Sequence, residues 1–309
     1  MFGDKTIYAL NSAAVGDLIA AAPAIKYAIE NFHRHHNYIV AVYPDFREIY
    51  HFVPSDRIVD FDASCESYPN DYCIRYLNPP KPASFVCKLT PSRMKLTQYA
   101  SVNLLGRVLD DHIARYVKFK PADVTGYGVD FTKTVVIITT YRDKQRTILP
   151  EELKNISEYV QSRGLTPVYV GRRGKVSIWK NSLAISDFED PGFGVDLRDK
   201  TSLSELATIM SMTRAVVGMD GGPIHVAFTT DTPVVCGFTT VGPKYRIPYR
   251  GLARTIAVSP NISCNFCESD WSLNMWSFNR CPRKLELAEC VTKMTADQFI
   301  EGLNSLNIW

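Results

Sequence analysis

Apolar and polar positions fall into two successive series along this chain, each switching between short β-branched runs and longer stretches with a helical period. In the first, Thr6–Leu10 is an apolar run, and Asp17–Phe32 follows with Leu18, Ala21, Ala22, Ile25 and Ile29 on one helical face. Tyr38–Tyr43, a short helix near Phe46–Phe52 and Arg57–Phe61 complete a β-α-β-α-β order, which favours a parallel sheet. Asn78–Pro91 is irregular and proline-bearing, Arg93–Tyr116 turns helical, and Pro121, Gly126 and Gly128 interrupt the pattern as a linker would. The second series opens with Thr134–Thr139. It continues through helix Pro150–Arg163, strand Thr166–Val170, helix Ser202–Met212, strand Ala215–Gly218, helix Gly222–Thr230 and strand Pro233–Gly237. The prediction is an α/β protein with two Rossmann-like domains, residues 1–125 and 126–309, facing a central cleft with ligands at the carboxyl ends of the strands. The last helix, Thr295–Leu306, is expected to pack back on the first domain.

Composition narrows the function classes. The length of 309 residues suits two cores better than one, and 46% hydrophobic with 22% charged residues is globular. A net charge of +3 gives no general pull toward nucleic acid or anionic membrane. With no apolar run long enough to span a bilayer and a strand near the start where a signal peptide would lie, the chain reads as cytoplasmic.

Three loops could carry chemistry. Asn11-Ser12-Ala13-Ala14-Val15-Gly16-Asp17 joins the first strand to the first long helix. It lacks the G-x-G-x-x-G spacing, which disfavours a nicotinamide or flavin enzyme, and Asp17 reads either as a helix cap or as a carboxylate facing the cleft. In Asp220-Gly221-Gly222-Pro223-Ile224-His225, a strand runs into paired glycines and a proline suited to a first helical turn. Free backbone N–H groups there favour phosphate, against the alternative of a capped helix with a packed histidine. Thr139-Thr140-Tyr141-Arg142-Asp143-Lys144-Gln145-Arg146 offers hydroxyls and cations to an anionic group, or is a solvated basic loop.

In order, these loops resemble glycosyltransferase family 9, the lipopolysaccharide heptosyltransferases: Val15-Gly16-Asp17-Leu18 resembles their Gly-Asp motif, Thr139–Lys144 their phosphate loop, and Asp220–Ala227 with Thr232–Val235 their Asp-Gly-His motif. The resemblance implies a GT-B fold and an inverting transfer from a nucleotide-diphosphate sugar, with no catalytic cofactor. It implies Asp17 as general base and donor binding by Thr139, Thr140, Lys144, Asp220, Gly221, Gly222 and His225. Two departures stand out. Gly221 replaces a usual hydroxyl residue, and Gly171-Arg172-Arg173-Gly174-Lys175 is basic where a carboxylate for the ribose is usual.

Cys264, Cys267, Cys281 and Cys290 are spaced either for a structural metal site, zinc or iron, or as packing thiols or disulfides. Some protein-modifying heptosyltransferases resemble this chain in having such a segment. Asp60-Phe61-Asp62 is read as structural, and His33-Arg34-His35-His36 as a solvated helix end. The basic stretch Lys88–Lys120, interleaved with Tyr99, Tyr116 and Phe119, is read as a solvated surface or as a footprint for an anionic acceptor. Trp271, Trp276 and Phe278 are read as core or as stacking residues. The leading acceptor class is a saccharide or lipid-linked hydroxyl. The rivals are a DNA base or protein side chain, and a non-catalytic nucleotide-sugar-binding protein.

Overall fold

The structure is a computed structural model and describes residues 5–12, 14–33, 37–64, 66–69, 71–78, 94–141, 144–179, 182–251, 253–269, 281, 283 and 288–309. In the first half, β1 (Thr6–Ala9), β2 (Tyr38–Val42), β3 (Ile58–Asp60) and β4 (Cys73–Tyr76) form a parallel sheet in the order β3-β2-β1-β4. Helices α1 (Val15–Asn31) and α2 (Leu96–Leu105) pack on each other. The predicted short helix is a 3-10 turn over Pro44–Tyr50. The helix expected over Arg93–Tyr116 stops at Leu105, because Gly106 takes a left-handed φ of 71° and its N–H closes on the Val102 carbonyl. From there the chain runs as a largely irregular strap to Thr134.

In the second half, β5 (Thr134–Ile138), α3 (Pro150–Ser162), β6 (Thr166–Val170), the antiparallel hairpin β7 (Gly174–Trp179) and β8 (Ser182–Ser186), and β9 (Val195–Asp196) come first. They are followed by α4 (Leu203–Met212), β10 (Ala215–Met219), α5 (Gly222–Ala227), β11 (Val234–Gly237), α6 (Pro243–Arg246), β12 (Thr255–Val258), α7 (Glu289–Thr292) and α8 (Ala296–Ser305). The parallel sheet runs β12-β11-β10-β5-β6-β9. The winding reverses between β5 and β10, so the loops leaving those two strands border a crevice. The same reversal in the first sheet lies between β1 and β4. Residues of β5 are buried throughout, as expected for a central strand covered on both faces.

The expectation that the last helix packs on the first domain is corrected. α8 lies on α3, β11 and β12. Its apolar face carries the fully buried Phe299 and Leu303, and Gly302 lets it approach so closely that an added Cβ would stand 2.8 Å from Val235. The Glu152 carboxylate accepts from Ala296 N at its start, and Arg254 donates to the Leu306 carbonyl at its end.

The halves meet through α1 and α5, and a single apolar cluster runs across the seam from Leu18 and Ile19 to Ile224 and Phe228. A second link joins the 3-10 turn of the first half to α4. Ser202 and Glu205 form a capping box there, and the Glu48 carboxylate accepts from Leu203 N and Ser204 N, each at 2.9 Å.

Candidate active site

Asp17 is the third residue of α1, and the cap position belongs to Ala14, so the capping reading of Asp17 does not describe it. Ser12 Oγ donates to Asp17 Oδ2 at 2.9 Å while accepting from Ala14 N, and the other Asp17 oxygen has no hydrogen bond among the described residues. The loops after β1 and β4 are tied by Asn11, whose amide donates to the Asn78 carbonyl at 2.6 Å and accepts from Asn78 N at 2.9 Å. Tyr99 O–H donates to Asn78 Oδ1. Burial first, and then the Asp17 carboxylate, raise the Tyr99 phenol, which keeps its proton for donation.

Across the seam, α5 begins against α1. A Cβ on Gly222 would lie 3.3 Å from Val15 Cβ, and one on Gly16 would lie 2.6 Å from His225 Cδ2. His225 is 3% exposed, with Nδ1 2.9 Å from the Tyr116 hydroxyl and Nε2 3.6 Å from Asp220 Oδ1. Asp220, 5% exposed, also faces Arg246 at 3.2 Å and Arg146 at 3.6 Å. Burial alone would raise its carboxyl, but Arg246, His225 and Arg146 together hold it well below the usual carboxylate range. Arg146 further donates to Thr240 Oγ1 at 3.0 Å and pairs with Glu268 at 3.1 Å. The two loops that border the crevice of the second sheet are thus joined by the Arg146–Asp220 pair.

The expected donor-binding residues take different positions. Lys144 is exposed with no partner among the described residues. Thr140 is half-buried, and its Oγ1 accepts from Arg172 N at 2.5 Å. Gly171, at φ 118°, lies so near that a Cβ there would collide with Thr140 Oγ1. Thr139 is buried, its hydroxyl bonded to the Val170 carbonyl and to Ser186. Gly221 and Gly222 are partly open at the start of α5, whereas Asp220 and His225 lie inside the network behind it. The basic Arg172 and Arg173 meet carboxylates after all: Arg172 pairs with Asp199 at 3.4 Å and Arg173 with Asp196 at 2.9 Å.

Two residues that sequence reasoning did not single out hold this arrangement together, Tyr116 and Glu48. Only the aromatic interleaving of the basic stretch hinted at Tyr116. Where the stretch is described, three of its cations meet carboxylates: Lys95 pairs with Asp111, and Arg115 and Lys118 share Asp231, while Arg107 donates to the Tyr27 hydroxyl. Asp60 pairs with Arg47, and Asp62 is surrounded by Ser64 and Ser67, as a structural role requires. His33 departs from the solvated reading. It is 5% exposed, bonded to the Tyr8 hydroxyl at 2.8 Å, and burial lowers its pKa. Residues 34–36, and Trp271, Trp276 and Phe278, lie outside the described residues.

Cys264, Cys267, Cys281 and Cys290 are free thiols of intermediate burial, so disulfides do not describe them. Burial pushes the Cys267 and Cys290 thiols up to about 11, and the other thiols of the segment contribute to both shifts. The four are neighbours, yet among the described residues no three His, Cys, Asp or Glu side chains converge as a ligand set.

The sequence profile of glycosyltransferase family 9 (heptosyltransferase) matches residues 133–273, which span β5, β10, α5 and the loops just described. The match is confined to the second half of the chain. No curated protein sequence matches it. Among solved structures, the iron-containing dodecameric glycosyltransferase TibC from enterotoxigenic E. coli superposes with a TM-score of 0.74 at 16% identity, covering 99% of this chain and 77% of that one. The glycosyl transferase family 9 protein from Veillonella parvula gives 0.67 at 12% identity over 99% and 98% of the two chains. E. coli ADP-heptose heptosyltransferase II gives 0.60 at 11% over 97% and 98%. The two parallel sheets with a crevice at each reversal are therefore the GT-B fold of these structures. Among the described residues no helix is long and apolar enough to cross a membrane.

Proposed function

We propose that this chain is a family 9 glycosyltransferase, that it transfers a heptose or similar sugar from a nucleotide-diphosphate sugar to an acceptor hydroxyl with inversion, and that Asp17 is the general base. The observation that supports this reading most is the Asp17 carboxylate, held through one oxygen by Ser12 while the other has no hydrogen bond among the described residues. It is carried by a helix start packed directly against Gly222 and His225 of the donor half. In this reaction Asp17 removes the acceptor proton as the oxygen attacks the anomeric carbon, and the bond from that carbon to the diphosphate breaks on the opposite face. Lys144, Thr140 and the backbone N–H groups of Gly221 and Gly222 meet the charge that develops on the leaving diphosphate. Thr139, Asp220 and His225 serve by holding those loops, since their polar atoms are turned inward.

The related structures solved with ADP-D-beta-D-heptose, for TibC, and with ADP, for WaaC, make ADP-heptose the first donor to test. Asp17→Ala should keep nucleotide binding and lose turnover, read as ADP release from ADP-heptose; unchanged turnover would remove Asp17 from the mechanism. We propose a saccharide or lipid-linked acceptor over a DNA base, because Asp231 and Asp111 pair with three cations of the basic stretch. Salt-sensitive DNA binding would reverse that preference.

For the four-cysteine segment we propose a structural metal site, supported by the spacing of Cys264, Cys267, Cys281 and Cys290 and by all four being free, half-buried thiols. An ion there would draw the four thiols into one ligand set and contribute to folding, without entering the reaction. Metal analysis of protein expressed with ample zinc and iron tests it: less than about half an equivalent argues against the site.

A further inference from the structure

We propose that Tyr116 is a positioning residue for transfer. Acting through His225, it sets where the Gly16–Asp17 turn stands relative to the donor half. The inference rests on the transferase reading above, with Asp17 as base.

The chain of contacts is continuous. Tyr116 lies on the strap between the two sheets and is 5% exposed. Burial first, and then the Asp220 and Asp17 carboxylates, raise its phenol, with Arg246 opposing, so the hydroxyl keeps its proton. Its one described polar partner is His225 Nδ1, at 2.9 Å. The other imidazole nitrogen faces Asp220 at 3.6 Å, and that carboxylate is fixed by Arg246 and Arg146. With Nδ1 at Tyr116 and Nε2 toward Asp220, both ring nitrogens are engaged, and turning the ring over would take both away from these partners. Phe228 closes the remaining side with an edge contact at 5.7 Å between ring centroids.

The Cδ2 side of that ring meets the backbone of Gly16, leaving no room for a methyl group, since a Cβ would stand 2.6 Å from Cδ2 and 3.1 Å from Nε2. The residue in contact with His225 is therefore the one immediately before Asp17. Rotation of the imidazole either drives the start of α1 outward or leaves a gap beneath it, and in both cases the Asp17 carboxylate moves relative to the crevice between β5 and β10. Displacements of about 1 Å in a reacting group reduce rates on the order of a hundredfold. Tyr116 sits on neither sheet and its described polar contact with the donor half is His225, behind the Gly221 and Gly222 N–H groups, so its removal should disturb alignment and leave donor affinity alone.

The test compares Tyr116→Phe, Gly16→Ala, His225→Ala and the double variant Gly16→Ala/His225→Ala with wild type. It uses ADP-heptose as donor, ADP release as the readout, and calorimetric binding of ADP. Tyr116→Phe should lower kcat tenfold or more while KM for the donor and Kd for ADP stay within twofold. Gly16→Ala should be the most damaged single variant. The double variant should be no worse than His225→Ala alone, because the added methyl then has no ring to strike. In parallel, nitrogen-15 NMR of the histidines should show the His225 Nδ1 resonance moving in Tyr116→Phe, a readout independent of turnover. Wild-type kcat in Tyr116→Phe, a loss confined to KM, an unmoved Nδ1 resonance, or additive damage in the double variant overturns the proposal. Absence of turnover in wild type with a moved Nδ1 resonance would instead count against ADP-heptose transfer and leave the tether standing.

Discussion

Replacing Arg146 with Met separates two accounts of the loop after β5. By sequence, Arg146 is one of three cations offered to an anionic leaving group. In the fold its side chain is 15% exposed and extends to Asp220, Glu268 and Thr240, and both carboxylates are more than nine-tenths buried. Methionine fills a similar volume without the charge, leaving two buried carboxylates to share what Arg246 and their remaining neighbours supply. Removing one partner of a buried ion pair costs roughly 3–5 kcal/mol, far more than an exposed pair. For a domain of about 150–250 residues, each kcal/mol moves the midpoint by about 2–4 °C, so a fall on the order of 6–20 °C is expected. Thermal unfolding with and without ADP, together with urea titration to check that the m-value is unchanged, measures it. A loss under about 1 kcal/mol combined with tenfold weaker ADP binding would refute this reasoning and return Arg146 to the phosphate.

Glu48→Ala removes two charge-assisted bonds to the start of α4 and should destabilise the protein by about 1–2 kcal/mol in urea unfolding. A change within about 0.3 kcal/mol would mean that solvent caps α4 equally well. Asp220 titrates below its unfolded value, so the stability it contributes is complete above about pH 5 and drains away as pH falls below about 4 toward its folded pKa. Urea midpoints measured between pH 7 and pH 3 should therefore fall less steeply in Asp220→Asn than in wild type, and equal slopes would dismiss Asp220 as a source of acid sensitivity.

The sequence made the architecture readable where periodicity was long and uninterrupted. β5 and β6 have continuous apolar centres, α1 and α3 repeat at helical spacing, and Ser202–Glu205 announces the start of α4. The β7–β8 hairpin went unread although its strands run to six and five residues, and other unread elements are short or interrupted. β4 spans four residues with Arg75 inside it, β9 has only two, and two residues cannot express a period. The basic runs were misleading for a different reason. Arg173 is answered by Asp196 and Lys118 by Asp231, partners 23 and 113 positions away that only the winding of the sheets brings near. At the site, Asp17 and the Asp220–His225 turn were visible because each lies at a strand-to-helix junction. That His225 is bonded to Tyr116 and packed against Gly16 depends on the seam between halves, which no local pattern encodes.

The placement of α8 has a topological consequence. With that helix kept beside β11 and β12, the described elements pass from the first sheet to the second once, along the strap that carries Tyr116. The halves then share one covalent thread, and their mutual alignment is left to side-chain contacts that can be released and remade. Opening the cleft requires no crossing strand to be unthreaded, and a cut in that strap would yield two fragments whose reassociation reports directly on the strength of the seam.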